Sequence, residues 1–395
     1  MTATLDWQVI VRDPDLAFVG RVPVERLELR PRHLDVGEWL IELPFDGDLT
    51  GPAGQLLEPR AGVVFVVDNT IVMSGPVTRP TRIRADDGTH TLQVAGNDDL
   101  WYLATRHARQ SPAEPSPTGG LYSTDRDVVT GPAETVIKHY VDVNAGPGAV
   151  TARRIPGLQL APDLARGSTV TGSARLPDPL VELIGGLAAV GGLGFRAVQT
   201  APGTITFDVF TPADRTGSVK FATTLRNLRS YEYEVEAPTA THVTVGGGGE
   251  GAARYYHEAA VTSPWGRIET FVDQRHTTDP AELAQAADEA LSEGAERFSI
   301  RAELQPTPAH QWAPVATSPA AATYDLGDQV AVVIDGVETR ETVRELRIVH
   351  EAGKGTQIVP IVGTRNHGDP ADRTYEALIR SLRALARRLD VLEQR

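Results

Sequence analysis

The sequence predicts a mainly β, multidomain chain with α+β parts, and three observations carry that expectation. Short β-rich runs separated by turn signals recur over residues 5–100 and return beyond 218. Two helical patterns sit inside the segment 106–215, and residues 375–392 hold an unbroken apolar heptad seam. At 395 residues the chain exceeds what one core organises, so several domains are expected, each burying its own interior.

In chain order, runs at 7–12, 24–30, 39–43, 63–67, 70–77 and 89–95 have strand composition. Asp46-Gly47, Gly51-Pro52, Gly75-Pro76 and Asp87-Gly88 mark reversals between them. Strands this numerous and closely spaced predict a closed or nearly closed β-barrel-like domain over 1–105. Residues 108–128 are polar and rich in Pro, Ser and Gly, and they mark a loop or boundary.

One helix is expected after Gly131-Pro132, through 135–143, and another after Asp178-Pro179, through 180–190. With β runs at 168–174, 194–199 and 204–210 they make 106–215 a mixed α+β domain. Strands resume at 219–221, 228–235 and 241–245, then stop at the glycine-rich run 246–251. Residues 252–305 give two strands, a helix from Asp279-Pro280 to about 295, and a strand at 297–303. A Pro- and Ala-rich connector precedes strands at 329–334, 339–350 and 356–362. The expected arrangement is a discontinuous second barrel-like domain, 216–247 with 323–365, interrupted by an inserted α+β domain at 248–322.

The terminal segment 366–395 is expected to be a coiled-coil helix. Tyr375, Leu378, Leu382, Leu385, Leu389 and Leu392 alternate spacings of 3 and 4, the heptad repeat that keeps an apolar strip in register with an identical partner. With Tyr375 at position a, Arg388 falls at g and Glu393 at the following e, where opposite charges meet between parallel helices. Ile379 and Ala386 widen the stripe beyond a and d, which suits more than two helices. These residues are the expected oligomerisation site. An amphipathic helix lying on its own domain is the plainer alternative.

Net charge is −14, and because 370–395 carries a surplus of two positive charges, the preceding 369 residues hold −16. Such a body repels phosphate backbones, so nucleic-acid grip is not expected, although DNA can slide past it. The chain has no cysteine, which excludes disulfides and thiolate chemistry. The first twenty residues lack the basic start and apolar run of a signal peptide, and no stretch approaches the roughly 18 apolar residues of a span. Synthesis in the cytoplasm without membrane insertion is expected.

The chemical motifs are weak. Gly246, Gly248 and Gly251 satisfy G-x-G-x-x-G after a strand, with Glu269 and Asp273 about twenty residues on. The aromatic, strand-like ARYYHEAAV that follows argues for a hinge instead of a phosphate-capping helix. His350-Glu351 lacks the second histidine of a zinc motif, and no metal or cofactor is expected. Asp98 with Asp99, and Asp86 with Asp87, offer paired carboxylates for acid–base work, yet such pairs at turns are ordinarily solvated or cap helices. Trp7, Trp39, Trp101, Trp265 and Trp312 can stack on sugars or fill cores. Catalytic residues are therefore not assigned.

The order of parts resembles the tail-hub proteins of long-tailed phages of high-GC Gram-positive bacteria, the tail-associated-lysin-like family, and more distantly the hubs of contractile tails. The resemblance rests on YVDVNAGPGAVTARRIPGLQLAPDLARGSTV, on VKFATTLRNLRSYEYEVEAPTATHVTVGGGGEGAA and on the return YDLGDQVAVVI with IVPIVG, and covers about residues 1–365. It implies a homotrimer at the virion tail tip, with two barrels per subunit forming a ring that joins a sixfold tube to a threefold tip; many relatives continue into a peptidase, a glycosidase or a long fibre, for which no residues are found up to Arg395, and no enzymatic activity is expected. It also implies as partners the distal tail protein ring, the tape measure protein, and tip fibre or receptor-binding proteins, with DNA passing through unbound. Two other functions are open to the sequence: a tail-associated cell-wall hydrolase using unpatterned carboxylates such as Asp98 and Asp99, and a host-surface adhesin using exposed tryptophans.

Overall fold

The computed structural model describes residues 5–44, 51–84, 90–114, 122–275, 277–305, 307–316, 320–334 and 336–363. The chain divides into two compact units, one made of Met1–Ser230 with Glu303–Val362, the other containing Tyr231–Ala302.

In the larger unit, alternation of apolar and polar residues builds the strands. Arg26–Arg30 buries Leu27 and Leu29, and Glu38–Pro44 buries Trp39, Ile41 and Leu43, as a period of two requires of a sheet wet on one face. Gly62–Val67 (GVVFVV) is buried at every position because it lies between Trp7–Arg12 and Thr70–Arg84. The strand Thr70–Arg84 changes partner along its length: 70–76 pairs with Gly62–Val67, and 77–84 with His90–Asn97. Pro76 has no N–H to donate and the register slips between Val77 and Arg79, so the ladder breaks there and restarts on the other neighbour.

From Gly355–Val362 the strand order runs through Val337–Glu351, Arg26–Arg30, Glu38–Pro44, His90–Asn97, Thr70–Arg84, Gly62–Val67 and Trp7–Arg12 to Phe18–Val22. No closed barrel is found among the described residues. The two groups of strands expected to form barrel-like domains are joined through Val337–Glu351. That strand is long enough to pair Gln329–Ile334 with its first half, and both Gly355–Val362 and Arg26–Arg30 with its second. The first and last strand groups thus share one ladder. Lys220–Ala222 lies parallel to Gln329–Ile334.

The mixed part of this unit packs helix Ala133–Ala145 and helix Leu180–Gly191 on two small sheets, Asp127–Pro132 with Thr169–Ala174, and Gly194–Ala201 with Thr204–Phe210 and Leu158–Leu160. Val136, Ile137, Tyr140, Ile184, Phe195 and Phe207 are among its buried core. The second helix starts after Pro179 and stops where Gly192 enters the left-handed region at φ +68°, a conformation that costs glycine least.

The chain leaves the larger unit along Leu228–Glu236 and returns along Arg297–Leu304, where the Gln305 N–H donates to the Asn227 carbonyl at 2.8 Å. In the smaller unit His242–Gly246 pairs with Tyr256–Ala260 on one side and Glu269–Asp273 on the other, instead of joining the strands near 329–362. Helix Pro280–Glu293 begins where Asp279 accepts the Ala281 N–H at 2.9 Å, and it presses Leu283, Ala286, Ala287 and Leu291 against Val243 and Val245.

Candidate functional site

The most highly organised polar cluster lies where the first sheet meets the mixed part. Arg12, the last residue of its strand, is fully buried. Its guanidinium donates to Asp99 Oδ1 at 2.5 Å, to Asp99 Oδ2 at 3.0 Å and to Gln199 Oε1 at 2.9 Å. The Ser74 hydroxyl donates to Asp99 Oδ2 at 2.5 Å and accepts the Gln199 N–H at 2.7 Å, while the Gln199 amide reaches the Leu16 carbonyl. A bidentate arginine–carboxylate pair with further hydrogen bonds from Gln199 and Ser74 makes the buried charge tolerable, although the Arg12 Nε is buried without a partner.

Asp98 points the other way. Its carboxylate accepts the Gly37 N–H at 2.9 Å and the Leu100 N–H at 3.1 Å, the latter at the start of helix Leu100–Ala104. Burial raises its pKa well above the usual carboxylate range. Asp98 and Asp99 thus face different partners: one accepts backbone N–H groups at a helix start and the other is bound to Arg12. Asp86 and Asp87 lie outside the described residues.

A second buried knot sits on helix Ala133–Ala145. Glu134, fully buried, accepts from Lys138 Nζ at 2.6 Å, one turn on, and from Arg166 at 2.8 and 2.9 Å. The Arg166 hydrogen bonds, opposed by burial and aided by Lys138, hold the Glu134 carboxyl well below its ordinary range. Packing alone explains His33, which faces Gly327 and Gly194. Burial first, and Arg344 second, push its imidazole down to about 3, so it stays neutral.

The glycine run has a steric explanation. A Cβ on Gly246 would fall 2.6 Å from both the Arg254 guanidinium and the Phe271 ring. Arg254 lies over Tyr256 and Phe271, at 5.6 and 5.5 Å from the ring centres, donates to the Gly246 and Gly247 carbonyls, and pairs with Asp273. Gly249 has φ +103°, outside the reach of other residues. After Gly251 a single 3-10 turn leads into strand Tyr256–Ala260, so no helix N-terminus awaits a phosphate there. Glu269 and Asp273 stand on the neighbouring strand, Asp273 already paired.

The other expected elements are similarly committed. His350 shares a hydrogen bond with Thr356 and Glu351 pairs with Lys354 and Arg26; no metal-ligating cluster occurs among the described residues. The indole N–H groups of Trp7, Trp39 and Trp312 bond to Thr356, Asn97 and Asp325, and Trp101 packs edge-on against Tyr102. Trp265, 46% exposed, still donates to Glu296. The expected oligomerisation residues, Tyr375, Leu378, Leu382, Leu385, Arg388, Leu389, Leu392 and Glu393, lie outside the described residues. Sequence reasoning missed Arg12, Gln199 and Arg254, which belong to no motif; only the glycines around Arg254 hinted that something large approaches the backbone there.

The family model described as Siphovirus ReqiPepy6 Gp37-like protein matches residues 8–364. The fold is similar to the 43 kDa tail protein of prophage MuSo2 from Shewanella oneidensis, at 11% identity and a TM-score of 0.52, over 92% of this chain and 98% of that one. It is also similar to the tail protein from Neisseria meningitidis MC58, at 16% identity and a TM-score of 0.50, over the same shares. No curated protein matches the chain.

Proposed function

The chain belongs to the Siphovirus ReqiPepy6 Gp37-like protein family, and from that premise we propose that it is a structural component of a phage tail tip. In this role three copies form a hub ring that joins a sixfold tail tube to a threefold tip and lets the tape measure and DNA through. The observation that carries the proposal is the extent of the likeness: the family match spans 8–364, and the similarity to two tail proteins covers 92% of this chain and 98% of each of them.

The chemistry of the described residues fits a scaffold. Arg12 with Asp99 and Glu134 with Arg166 form ion pairs inside the molecule, and Asp98 and Glu134, two carboxylates with strongly shifted pKa values, are buried and hydrogen-bonded to protein groups. A net charge of −14 suits a channel wall that does not retain DNA. In this proposal residues 366–395 form the threefold coiled coil through Tyr375, Leu382 and Leu389 at position a. The five parts 1–105, 106–215, 216–247 with 323–365, 248–322 and 366–395 are the domains of the hub in this reading, the first and third joined through Arg26–Arg30 and Val337–Glu351. The neighbours are the distal tail ring, the tape measure and tip fibre proteins.

Light scattering and negative-stain images of the purified full chain test this. A particle of about 127 kDa, three times 42.5 kDa, with a central hole is expected. A monomer persisting from micromolar concentration upward overturns the ring.

A further inference from the structure

The distal half of strand Thr70–Arg84 is an open edge. Beyond Pro76 it pairs only with His90–Asn97 among the described residues, and every residue from 78 to 84 is exposed. Its sequence there is TRPTRIR, with three arginines and no acid in a chain whose net charge is −14. No ion pair engages Arg79, Arg82 or Arg84 among the described residues. Pro80 removes one edge N–H and the arginines repel a like edge, so this edge resists strand addition. It remains open to an acidic surface that lies along it.

The smaller unit carries such a surface. Residues 277–296 contain no lysine or arginine, and helix Pro280–Glu293 exposes Glu282, Asp288 and Glu289 on the side away from the buried Leu283, Ala287 and Leu291. Arg82 and Arg84 share one face of the extended strand, about 7 Å apart, with Arg79 on the other; Glu282, Asp288 and Glu289 lie on the solvent side of the helix.

We infer that the arginine edge at 78–84 docks on the acidic helix Pro280–Glu293 of a second copy of this chain. The contact rests on the ring reading above and gives it a mechanism. A closed ring of identical subunits needs a heterologous interface, in which two different patches of the same chain meet, and these two patches differ in sign as well as in shape.

The test uses full-length protein in three variants: R79E/R82E/R84E, E282R/D288R/E289R, and all six together. Each triple variant alone is expected to associate at least about tenfold more weakly than wild type. The variant with all six changes is expected to recover, and an equimolar mixture of the two triple variants to form mixed dimers but no complete ring, because three alternating members always leave one like-signed junction. Circular dichroism checks that each stays folded. Should a triple variant misfold, wild-type association at about 50 and 500 mM salt gives the second measurement, and it is expected to fall as screening increases. Equal assembly of R79E/R82E/R84E and wild type, or of wild type at both salt concentrations, overturns this contact and leaves the ring standing. Recovery in the variant with all six changes without mixed dimers places the contact within one chain and overturns the inference. A wild type that never assembles overturns the ring itself.

Discussion

Two arginine–aspartate pairs, one in each unit, use the same chemistry in opposite surroundings. Arg12 and Asp99 in the larger unit are both 0% exposed at the side chain, whereas Arg254 and Asp273 in the smaller unit are 14% and 47% exposed. The first pair is held by Gln199 and Ser74 from distant segments, so it ties together parts of the fold that no local signal connects. The second is held by two rings and two carbonyls of its own small sheet. The difference teaches that an ion pair's weight lies in what happens when one partner is removed: a buried charge left alone has nothing to solvate it, and an exposed one has water.

The sharpest way to break the comparison is Arg12→Leu. It strands Asp99 in the core and should destabilise the larger unit by about 3–5 kcal/mol in urea unfolding. A loss below about 1 kcal/mol would mean that water reaches the site. Replacing both partners, Arg12→Met with Asp99→Leu, should recover most of the loss, since apolar groups of similar volume tolerate such a site.

Glu134→Gln comes next, with a pH signature. Arg166 holds the Glu134 pKa below its unfolded value of about 4.5, so its contribution is present above that value and is lost as pH falls toward the folded value. The substitution should cost about 3 kcal/mol at pH 7, with the gap to wild type narrowing below pH 4.5. A gap that is the same at pH 3 as at pH 7 would remove the charge from the explanation.

Arg254→Ala should cost about 1 kcal/mol, because its loss of two ring contacts is offset by solvent at Asp273. The smallest effect is Arg275→Ala, whose side chain is 74% exposed beside the same Asp273; its melting curve should overlay wild type. If Arg275→Ala instead matches Arg254→Ala, the pair matters for its charge and not for its stacking.

The sequence made individual elements legible where a local period governed them. Strands Arg26–Arg30 and Glu38–Pro44 alternate, and helix Leu180–Gly191 is bracketed by Pro179 and Gly192, so both ends can be read from the chain. Pairing was not legible, because the period that defines a strand says nothing about its neighbour. Arg26–Arg30 gave no sign that it lies beside Val337–Glu351, and that single pairing joins the two expected barrel-like groups. The polar clusters were hidden for a related reason. Arg12 ends an apolar strand where an arginine normally meets water, and only the arrival of Asp99 and Gln199 from remote segments makes its burial tolerable. Asp98 was readable as a helix cap because its partner, Leu100, is two residues away.

The pairing of Arg26–Arg30 with Val337–Glu351 has a consequence for synthesis on the ribosome. Arg26–Arg30 emerges early, with Glu38–Pro44 ready beside it, yet its other edge stays open until residue 351 has left the exit tunnel. Over that interval the nascent chain presents an incomplete sheet whose backbone N–H and carbonyl groups at Arg26–Arg30 lack their partners on one edge, the condition in which strand edges find wrong partners. Premature termination anywhere before residue 337 should therefore yield insoluble product even when every upstream helix and hairpin is intact. Fragments ending after 362 should stay soluble, which makes the last strand pair a checkpoint between translation and assembly.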